Sequence, residues 1–314
     1  MRIGIVTPAF NVAPYLGDAI RSVLAQTHQD WTLTIVDDGS TDGTAAIAEG
    51  FADSRLRLIR QRNAGVSAAR NRGMVATKAD AVLFLDADDW LSPEALTLLQ
   101  AALNADLNAV AAVGAYRRVS ARGPDGSLVL GRVHQPEAGD LLERLLVRNR
   151  FANGGHLLIR HLMLRATGPF NPGLSYGEDW EYWIRLARLG WFVAVASRAP
   201  LLFARERDDG AYHGLAARPE SFLPCMDAIF KAQTLTGRFG VEGVARLRRR
   251  AEAENDWIVG RELIRHGRTT EGQRFLRRSV RAAPCLRRLL LLAGGSLPLT
   301  RMGPFRPYKD ATAA

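Results

Sequence analysis

The sequence predicts an α/β fold with a mostly parallel central sheet flanked by helices, followed by a helical, arginine-rich basic extension. Two observations support the sheet: strand-like and helix-like segments alternate over residues 1–120, and one apolar run stops abruptly at three carboxylates. Strands that alternate with helices form right-handed βαβ units. With 314 residues, 47% of them hydrophobic, the chain can bury one large core or two smaller ones.

The elements are predicted in chain order, and each early strand is followed by a helix. Strands are expected at residues 2–7, 31–36, 55–59 and 81–85. Helices are expected near residues 13–27, 41–51 and 66–77, and from residue 92 onward. Ser92 is a good N-cap for this last helix, and Pro93 suits its first turn.

Residues 108–214 mix strands and helices less regularly. Residues 109–119 and 127–133 flank strong turn residues at 122–126 and are expected to pair antiparallel. Helices at residues 136–148 and 178–189 and strands at residues 191–196 and 201–204 are expected beyond them.

Charge divides the chain into two regions. Residues 1–214 hold 23 Lys and Arg against 23 Asp and Glu, whereas residues 215–314 hold 19 against 9, so the second region carries the whole net charge of +10. We therefore predict a domain over 1–214 and a separate helical extension over 215–314. Cys225 and Cys285 are too few for a disulfide framework. With no signal peptide and no spanning segment in the sequence, a cytoplasmic protein is expected.

The most informative segment is FLDADDW at residues 84–90. A predicted strand ends there at Asp86, Asp88 and Asp89, and open α/β sheets bind ligands at the carboxyl ends of their strands. Clustered carboxylates repel one another, and Mg²⁺ or Mn²⁺ held between carboxylates and substrate phosphates relieves that repulsion. The segment predicts a metal–nucleotide site, and the alternative is an acidic surface turn before a helix cap.

Three other segments carry chemistry. In VDDGSTD, residues 36–42, Asp38 suits a hydrogen bond from a base or ribose, or else a helix cap. In RNAGVSAARNRG, residues 62–73, Arg70 reaches a base or diphosphate, or else is solvated. In GEDWEYWIRL, residues 177–186, Asp179 is a candidate general base facing a polyol acceptor, although acids also favour a helix N-terminus. Trp180 and Trp183 either stack on a sugar or pack in the core.

Neither a GxGxxG segment after the first strand nor a GxxxxGK[ST] segment occurs. This argues against a Rossmann dehydrogenase and a P-loop enzyme.

Together, TPAFN, VDDGSTDGT, RNAGVSAARNRG, FLDADDW and GEDWEYWIRL resemble, in order and over roughly residues 1–205, the family-2 inverting glycosyltransferases. The resemblance implies the A-type glycosyltransferase fold, with a nucleotide-binding half at 1–107 and an acceptor half at 108–214. It also implies a nucleotide-sugar donor, typically UDP-linked, a hydroxyl acceptor and a divalent metal, Mn²⁺ or Mg²⁺.

The resemblance further implies roles for individual residues. Asp179 corresponds to the catalytic base. The residues that correspond to nucleotide-binding positions are Thr7, Pro8, Phe10, Asp38, Arg70 and Asp86. The metal would be held mainly by Asp88, with help from Asp86 and Asp89. The residues expected near the donor or acceptor sugar are Glu178, Trp180, Trp183 and Arg207.

Two departures from the family pattern matter. The QxxRW signature of processive synthases is absent, which predicts the transfer of one sugar or a few. Many members have a downstream histidine that supports the metal, whereas residues 204–207 read ARER, with Arg207 in that place. Arg207 is expected to meet the diphosphate, and His213 is the alternative substitute.

The basic extension is predicted to hold a helix pair at residues 241–266 and 270–283, followed by RRLLLL at residues 287–292. It either docks on the catalytic domain or lies on an anionic membrane surface. Nucleic-acid binding is not expected, because no nucleic-acid motif accompanies the charge.

The sequence therefore predicts a metal-dependent, non-processive, inverting glycosyltransferase of bacterial surface glycan or glycolipid assembly. The alternatives are a nucleotidyltransferase, which shares acids at the sheet edge, and a non-catalytic sugar-nucleotide-binding or membrane-scaffold protein.

Overall fold

The computed structural model describes residues 1–120, 127–207, 214, 218–284 and 288–289. The chain divides into two units. The first comprises Met1–Leu142 and Arg150–Arg207, and the second comprises Glu143–Asn149 together with the chain from Asp208 onward. The limit at residue 214, drawn from charge, and the limit at residue 107, implied by the family resemblance, remain predictions beside this division.

The helices and strands have the following bounds. The strands are β1 (Ile3–Ala9), β2 (Trp31–Asp37), β3 (Leu56–Arg60), β4 (Ala81–Phe84), β5 (Trp90–Leu91), β6 (Ala111–Val113), β7 (Tyr116–Ser120), β8 (Val129–His134), β9 (Leu157–Arg160), β10 (Phe192–Ala194) and β11 (Leu202–Glu206). The helices are α1 (Ala13–Leu24), α2 (Thr44–Glu49), α3 (Val66–Ala76), α4 (Ala95–Ala105), α5 (Leu142–Val147), α6 (His161–Thr167), α7 (Glu178–Ala187), α8 (Leu223–Phe230), α9 (Gln233–Arg265) and α10 (Thr269–Ala282).

The main sheet has the strand order β10-β6-β9-β4-β1-β2-β3. Strands β1 to β4 run parallel, β10 runs parallel to β6, and β9 runs antiparallel to both of its neighbours. Ile3 pairs with Trp31 on one side and with Ala81 on the other, so β1, β2 and β4 end near one another at the same edge. The predicted α/β fold with a mostly parallel sheet is confirmed.

The core explains why these segments form buried strands. Ile5 on β1, Ile35 on β2 and Leu83 on β4 are fully buried. Strands covered by helices on both faces are apolar along their whole length, because neither face meets water. The loops that follow β1, β2 and β4 therefore carry the polar residues to the carboxyl edge of the sheet.

A second sheet, with strand order β5-β11-β7-β8, lies in the same unit. Strands β7 and β8 pair antiparallel as predicted, and the predicted turn at 122–126 lies outside the described residues. The prediction of one continuous segment at 109–119 is wrong, because β6 joins the main sheet and β7 joins the second. The chain changes sheets at Gly114, where an added Cβ would lie 2.6 Å from Leu201 Cδ1.

Two other predicted bounds also differ from the structure. Helix α4 begins at Ala95 rather than at the predicted Ser92, and no side chain caps its N-terminus. The helix expected at 136–148 is confined to Leu142–Val147, because Gly139 has a φ of 87° and pairs with Phe192 as an isolated bridge instead.

The second unit contains α8, α9 and α10. Gly240 breaks the regular helix inside α9, with φ 67° and ψ 167°, so the regular helix resumes at the predicted residue 241. Helices α9 and α10 pack closely, since a Cβ on Gly272 would lie 2.5 Å from the carbonyl oxygen of Gly260. The predicted helix pair is confirmed. In the described ranges, no helix combines the length and the apolar character needed to cross a membrane.

Candidate active site

The loops after β1 and β2 are tied together at the carboxyl edge of the sheet. The backbone N–H of Asn11 donates to Ser40 Oγ at 3.0 Å, and that of Thr41 donates to Asn11 Oδ1 at 2.8 Å. Phe10 lies between the end of β1 and Asn11 with 47% of its surface exposed, whereas Thr7 is buried. An exposed aromatic ring on an ordered loop offers a flat apolar surface to a ligand.

Asp38 is buried and joins the loop after β2 to the start of α3. Its carboxylate accepts hydrogen bonds from the backbone N–H groups of Ala64 and Gly65, at 2.9 and 2.8 Å, and from Gln61 Nε2 at 2.7 Å. These three donors position the loop that precedes Arg70. The base contact expected of Asp38 remains a prediction.

Arg70 joins the two acidic motifs. Its guanidinium donates to Asp86 Oδ1 at 3.0 Å and to Glu178 Oε1 at 2.9 Å, and only 6% of its side chain is exposed. Burial alone would lower the pKa of Arg70, but the charges of Asp86, Glu178 and Asp179 raise it overall. The nucleotide contact expected of Arg70 stays a prediction, and its observed partners are the carboxylates on either side of it.

Asp88 and Arg207 form a further ion pair of the site. Arg207 Nη1 lies 3.3 Å from Asp88 Oδ2, and the two side chains are 17% and 26% exposed. Burial raises the pKa of Asp88, the charge of Asp86 raises it further, and Arg207 opposes the shift. His213, the alternative to Arg207, lies outside the described residues.

Asp89 is buried, and its carboxylate is occupied within the protein. Its Oδ1 accepts from the backbone N–H of Arg205 at 2.7 Å, and its Oδ2 accepts from Asn153 Nδ2. Burial raises the pKa of Asp89 well above its ordinary value, the charges of Asp88 and Asp86 add to that shift, and the two hydrogen bonds oppose it. Its expected contact with a metal remains a prediction, and its observed contacts hold the loop after β4.

Arg205 was not anticipated from the sequence. Its Nε donates to the backbone carbonyl of Asp88 at 3.0 Å, and its Nη2 donates to Asp18 Oδ2 at 3.0 Å. The guanidinium also lies 4.9 Å from the ring of Trp90. Together with the bond from its N–H to Asp89, these contacts fix the DADD turn against β11 and α1. Only a weak indication of this role came from the sequence, which was the position of Arg205 two residues before Arg207.

Asp179 stands at the start of α7 among other charges. Burial raises its pKa to about 7, the neighbouring charge of Glu178 contributes to the shift, and Arg70 opposes it. The carboxylate accepts from the backbone N–H of Trp180 at 2.6 Å. A carboxylate with this pKa accepts a proton readily near neutral pH.

The two tryptophans of this helix are core residues. Trp180 is 5% exposed and Trp183 is 1% exposed. Trp183 packs edge-on against Phe151 and Phe170, at centroid distances of 6.1 and 6.2 Å. Their burial favours core packing over sugar stacking, and their expected place near the sugar remains a prediction. The ring contacts of Trp183 anchor α7, the helix that carries Asp179, in the core.

The donor set suits a hard divalent cation. Asp86 and Asp88 each keep one carboxylate oxygen that accepts no hydrogen bond from any described residue. Within the part of the chain that the structure describes, no group of three or more His, Cys, Asp or Glu side chains could hold a metal by itself. This arrangement fits Mg²⁺ or Mn²⁺, which commonly take one or two carboxylates together with substrate phosphates.

The structural neighbours define the fold, which is the A-type glycosyltransferase fold. The chain is similar to S. aureus TarS 1–349 in complex with UDP, with a TM-score of 0.59 at 18% identity over 98% of this chain and 89% of that one. It is also similar to the mannosyltransferase PcManGT from Pyrobaculum calidifontis in complex with GDP-Man and Mn²⁺, with a TM-score of 0.60 at 19% identity over 97% and 82%. At these identities the likeness shows the fold alone.

Sequence comparison finds similarity to glycosyltransferases over the N-terminal half of the chain. Residues 4–152 match the model of glycosyl transferase family 2. The chain is 36% identical over 117 residues to glycosyltransferase GlyA of Streptococcus pneumoniae, which is 37% of this chain and 17% of the relative. It is 28% identical over 196 residues to chondroitin synthase of Pasteurella multocida, which is 60% of this chain and 19% of the relative. Over residues 4–152 the chain is similar to glycosyl transferase family 2, and the resemblance predicted from its motifs is confirmed.

The chain spans less than a fifth of the length of either of these relatives. The family match nonetheless favours the glycosyltransferase prediction over the nucleotidyltransferase and non-catalytic alternatives.

Proposed function

We propose that this protein transfers a sugar from a nucleotide-diphosphate donor, UDP-linked, to an acceptor hydroxyl with inversion, in a metal-dependent and non-processive reaction. The observation that carries the proposal is the ion-pair chain Asp86–Arg70–Glu178, with distances of 3.0 and 2.9 Å. It joins the acids suited to a metal to the helix start that holds Asp179. The acid proposed to bind the metal and donor, Asp86, is thus joined through Arg70 to Glu178, the neighbour of the proposed base Asp179.

The residues divide the chemistry between them. Asp86 and Asp88 would hold Mn²⁺ or Mg²⁺, and the bound cation would stabilise the charge that develops on the departing diphosphate. Phe10 offers its exposed ring to the base. Asp179 takes the proton of the acceptor hydroxyl as that oxygen forms a bond to the anomeric carbon and the bond to the diphosphate breaks. A single displacement inverts the anomeric centre.

The comparisons support the choice of substrates. TarS was solved with UDP and with UDP-GlcNAc, and PcManGT with GDP-Man and Mn²⁺. Relatives include chondroitin synthase and the putative teichuronic acid biosynthesis glycosyltransferase TuaG of Bacillus subtilis. We infer a sugar-nucleotide donor and a role in bacterial surface glycan or glycolipid assembly.

The test begins with a thermal-shift screen of nucleotide sugars with and without Mn²⁺. A ligand at about 100 times its Kd stabilises the native state by about 2.7 kcal/mol. With the donor found in this way, Asp179→Asn and Asp88→Ala should each abolish transfer while the melting profile stays cooperative, and EDTA should suppress the wild-type rate. Asp30→Ala removes a half-exposed acid distant from these residues in sequence and is the control. Turnover retained in either variant contradicts the role proposed for that residue.

We also propose that the protein is cytoplasmic and binds an anionic membrane surface through its second unit. Arg274, Arg277 and Arg281 on α10 are exposed, and their spacing of three and four residues places them on one helix face. Among the described residues none of the three forms an ion pair, whereas their neighbour Arg278 pairs with Asp256. Each basic residue near an anionic lipid surface contributes about 1 kcal/mol to binding. The leucines at 290–292 lie outside the described residues, and docking of the extension on the catalytic domain stays an alternative.

The membrane proposal is tested by co-sedimentation with vesicles of phosphatidylcholine and phosphatidylglycerol at low salt. R277E/R281E should release most of the bound protein. R57E/R72E changes the net charge equally at exposed positions of the first unit and should bind like the wild type. Wild-type protein that stays in the supernatant with anionic vesicles contradicts the proposal.

A further inference from the structure

We propose that Arg207 is an internal counter-ion of Asp88 that opposes metal binding until a diphosphate arrives, so that metal and nucleotide bind cooperatively. The inference rests on the proposed function, because it concerns the same cation and the same donor. It adds a regulatory property that the catalytic roles do not require.

The geometry places one guanidinium beside the carboxylate that is expected to hold the cation. Arg207 Nη1 lies 3.3 Å from Asp88 Oδ2, and both side chains are more than two-thirds buried. The Arg207 guanidinium carbon also lies 4.6 Å from the centre of the Tyr15 ring. The guanidinium therefore has two favourable contacts, one with a carboxylate and one with an aromatic ring, that hold it in place.

The backbone on both sides of this pair is fixed. Arg205 lies two residues before Arg207. Its backbone N–H donates to Asp89 Oδ1 at 2.7 Å, and its Nε donates to the backbone carbonyl of Asp88 at 3.0 Å. The strand end that carries Arg207 is therefore anchored to the turn that carries Asp88. The ion pair is a consequence of the fold rather than a chance meeting of two surface side chains.

The charges explain why the pair opposes the metal. Asp88 and Asp86 are like charges in a partly buried site, and Arg207 stabilises the ionised form of Asp88. A divalent cation that binds Asp88 must approach the positive charge of Arg207, and the two cations repel each other. In the absence of nucleotide, Arg207 therefore lowers the affinity of the site for metal.

A diphosphate reverses this balance. The planar fork of a guanidinium binds phosphate oxygens well, so a diphosphate beside Asp88 gives Arg207 an alternative partner. Asp88 is then available to the cation, which the same diphosphate also binds. Thermodynamic linkage requires the effect to be mutual: nucleotide raises metal affinity by the same factor by which metal raises nucleotide affinity.

The experiment measures Mn²⁺ binding by electron paramagnetic resonance, with and without saturating UDP, and corrects for the Mn²⁺–UDP complex measured without protein. We expect Arg207→Gln to bind Mn²⁺ alone at least about fivefold more tightly than the wild type, and to lose most of the further increase caused by UDP. Arg207→Lys keeps the charge and should bind Mn²⁺ alone as weakly as the wild type. Arg57→Gln removes an exposed arginine on β3 and should match the wild type throughout.

The outcomes separate the two proposals. If the wild type binds Mn²⁺ in the presence of UDP but Arg207→Gln binds Mn²⁺ alone no more tightly than the wild type does, the counter-ion role is overturned and the proposed function stands. If wild-type protein binds no Mn²⁺ even with UDP or GDP, the metal-dependent function fails, and the inference fails with it. Thermal melting of each variant shows whether it is folded under the conditions of the measurement.

Discussion

At the scale of single residues, a buried arginine compensates the negative charge of this site. Arg70 faces Asp86 and Glu178 with almost no exposure to water. Removing one partner of a buried ion pair leaves the other charge without compensation and costs several kcal/mol. Arg70 therefore keeps two acidic motifs folded side by side.

A first prediction follows for Arg70. Arg70→Met should lower the free energy of unfolding by about 3–5 kcal/mol, because Asp86 and Glu178 lose their shared cation. Arg72→Met, on the same helix but exposed, should change it by no more than about 0.5 kcal/mol. Urea denaturation of both variants measures the difference. Equal stability of the two would show that the buried pair contributes little.

A second prediction concerns Asp179 and pH. Its pKa in the folded protein is about 7 against an ordinary 3.8, so the native state holds the proton more tightly than the unfolded chain. The stability due to this group is fully present below pH 3.8 and is lost as the pH rises through 7. Between pH 5 and pH 8 the wild type should lose about 2.6 kcal/mol more than Asp179→Asn does.

Urea denaturation of both proteins at the two pH values measures this difference. Identical pH dependence of the two proteins would mean that Asp179 has an ordinary pKa. The transfer rate of the wild type should also fall below pH 7, because protonated Asp179 cannot accept a proton.

At the scale of elements, helix packing brings the site together. Helix α3 carries Arg70 and lies on β1 and β2 through Gly73, where an added Cβ would lie 2.3 Å from Val6 Cγ1 and 3.3 Å from Val36 Cγ2. The absence of a side chain at this position lets α3 approach the sheet closely enough for Arg70 to reach Asp86.

A third prediction tests this close approach. Gly73→Ala should destabilise the protein by about 1–3 kcal/mol, because the methyl group overpacks the helix–sheet contact. Gly17→Ala on α1 would meet only the flexible end of Arg21 and should be neutral, or stabilising by about 0.5–1 kcal/mol. Urea denaturation distinguishes them, and effects of the same sign at both positions would contradict the packing argument.

Across the whole molecule, the uneven charge is the dominant feature. The region to residue 214 is neutral, and the net charge of +10 belongs to the region beyond it. Lipid binding by the second unit and nucleotide binding by the first should therefore depend differently on salt.

A fourth prediction follows from this asymmetry. Raising NaCl from about 0.05 to about 0.5 M should abolish co-sedimentation with anionic vesicles, because exposed charges separated by more than a Debye length, about 10 Å at 0.1 M salt, are screened. The thermal shift caused by UDP with Mn²⁺ should change much less, because the site is partly buried. Vesicle binding that survives high salt would indicate apolar insertion instead of attraction between charges.

Much of the fold and part of the site could be predicted from local patterns. Alternating strands and helices predicted β1 to β4 with their helices, and this placed Asp38 and Asp86 at one sheet edge. The start of α7 at Glu178 was also predicted, which located Asp179. These features depend on periodicity and on residues close in sequence, so local patterns were enough to predict them.

The pairings within the site were decided only by the tertiary structure. Arg70 meets Glu178 across 108 residues, and Arg205 meets Asp89 across 116. Tertiary packing also places β9 between β4 and β6 and buries Trp183. The physical reason is that the partner of a side chain depends on how helices and strands far apart in sequence pack together. Local periodicity contains no information about that packing.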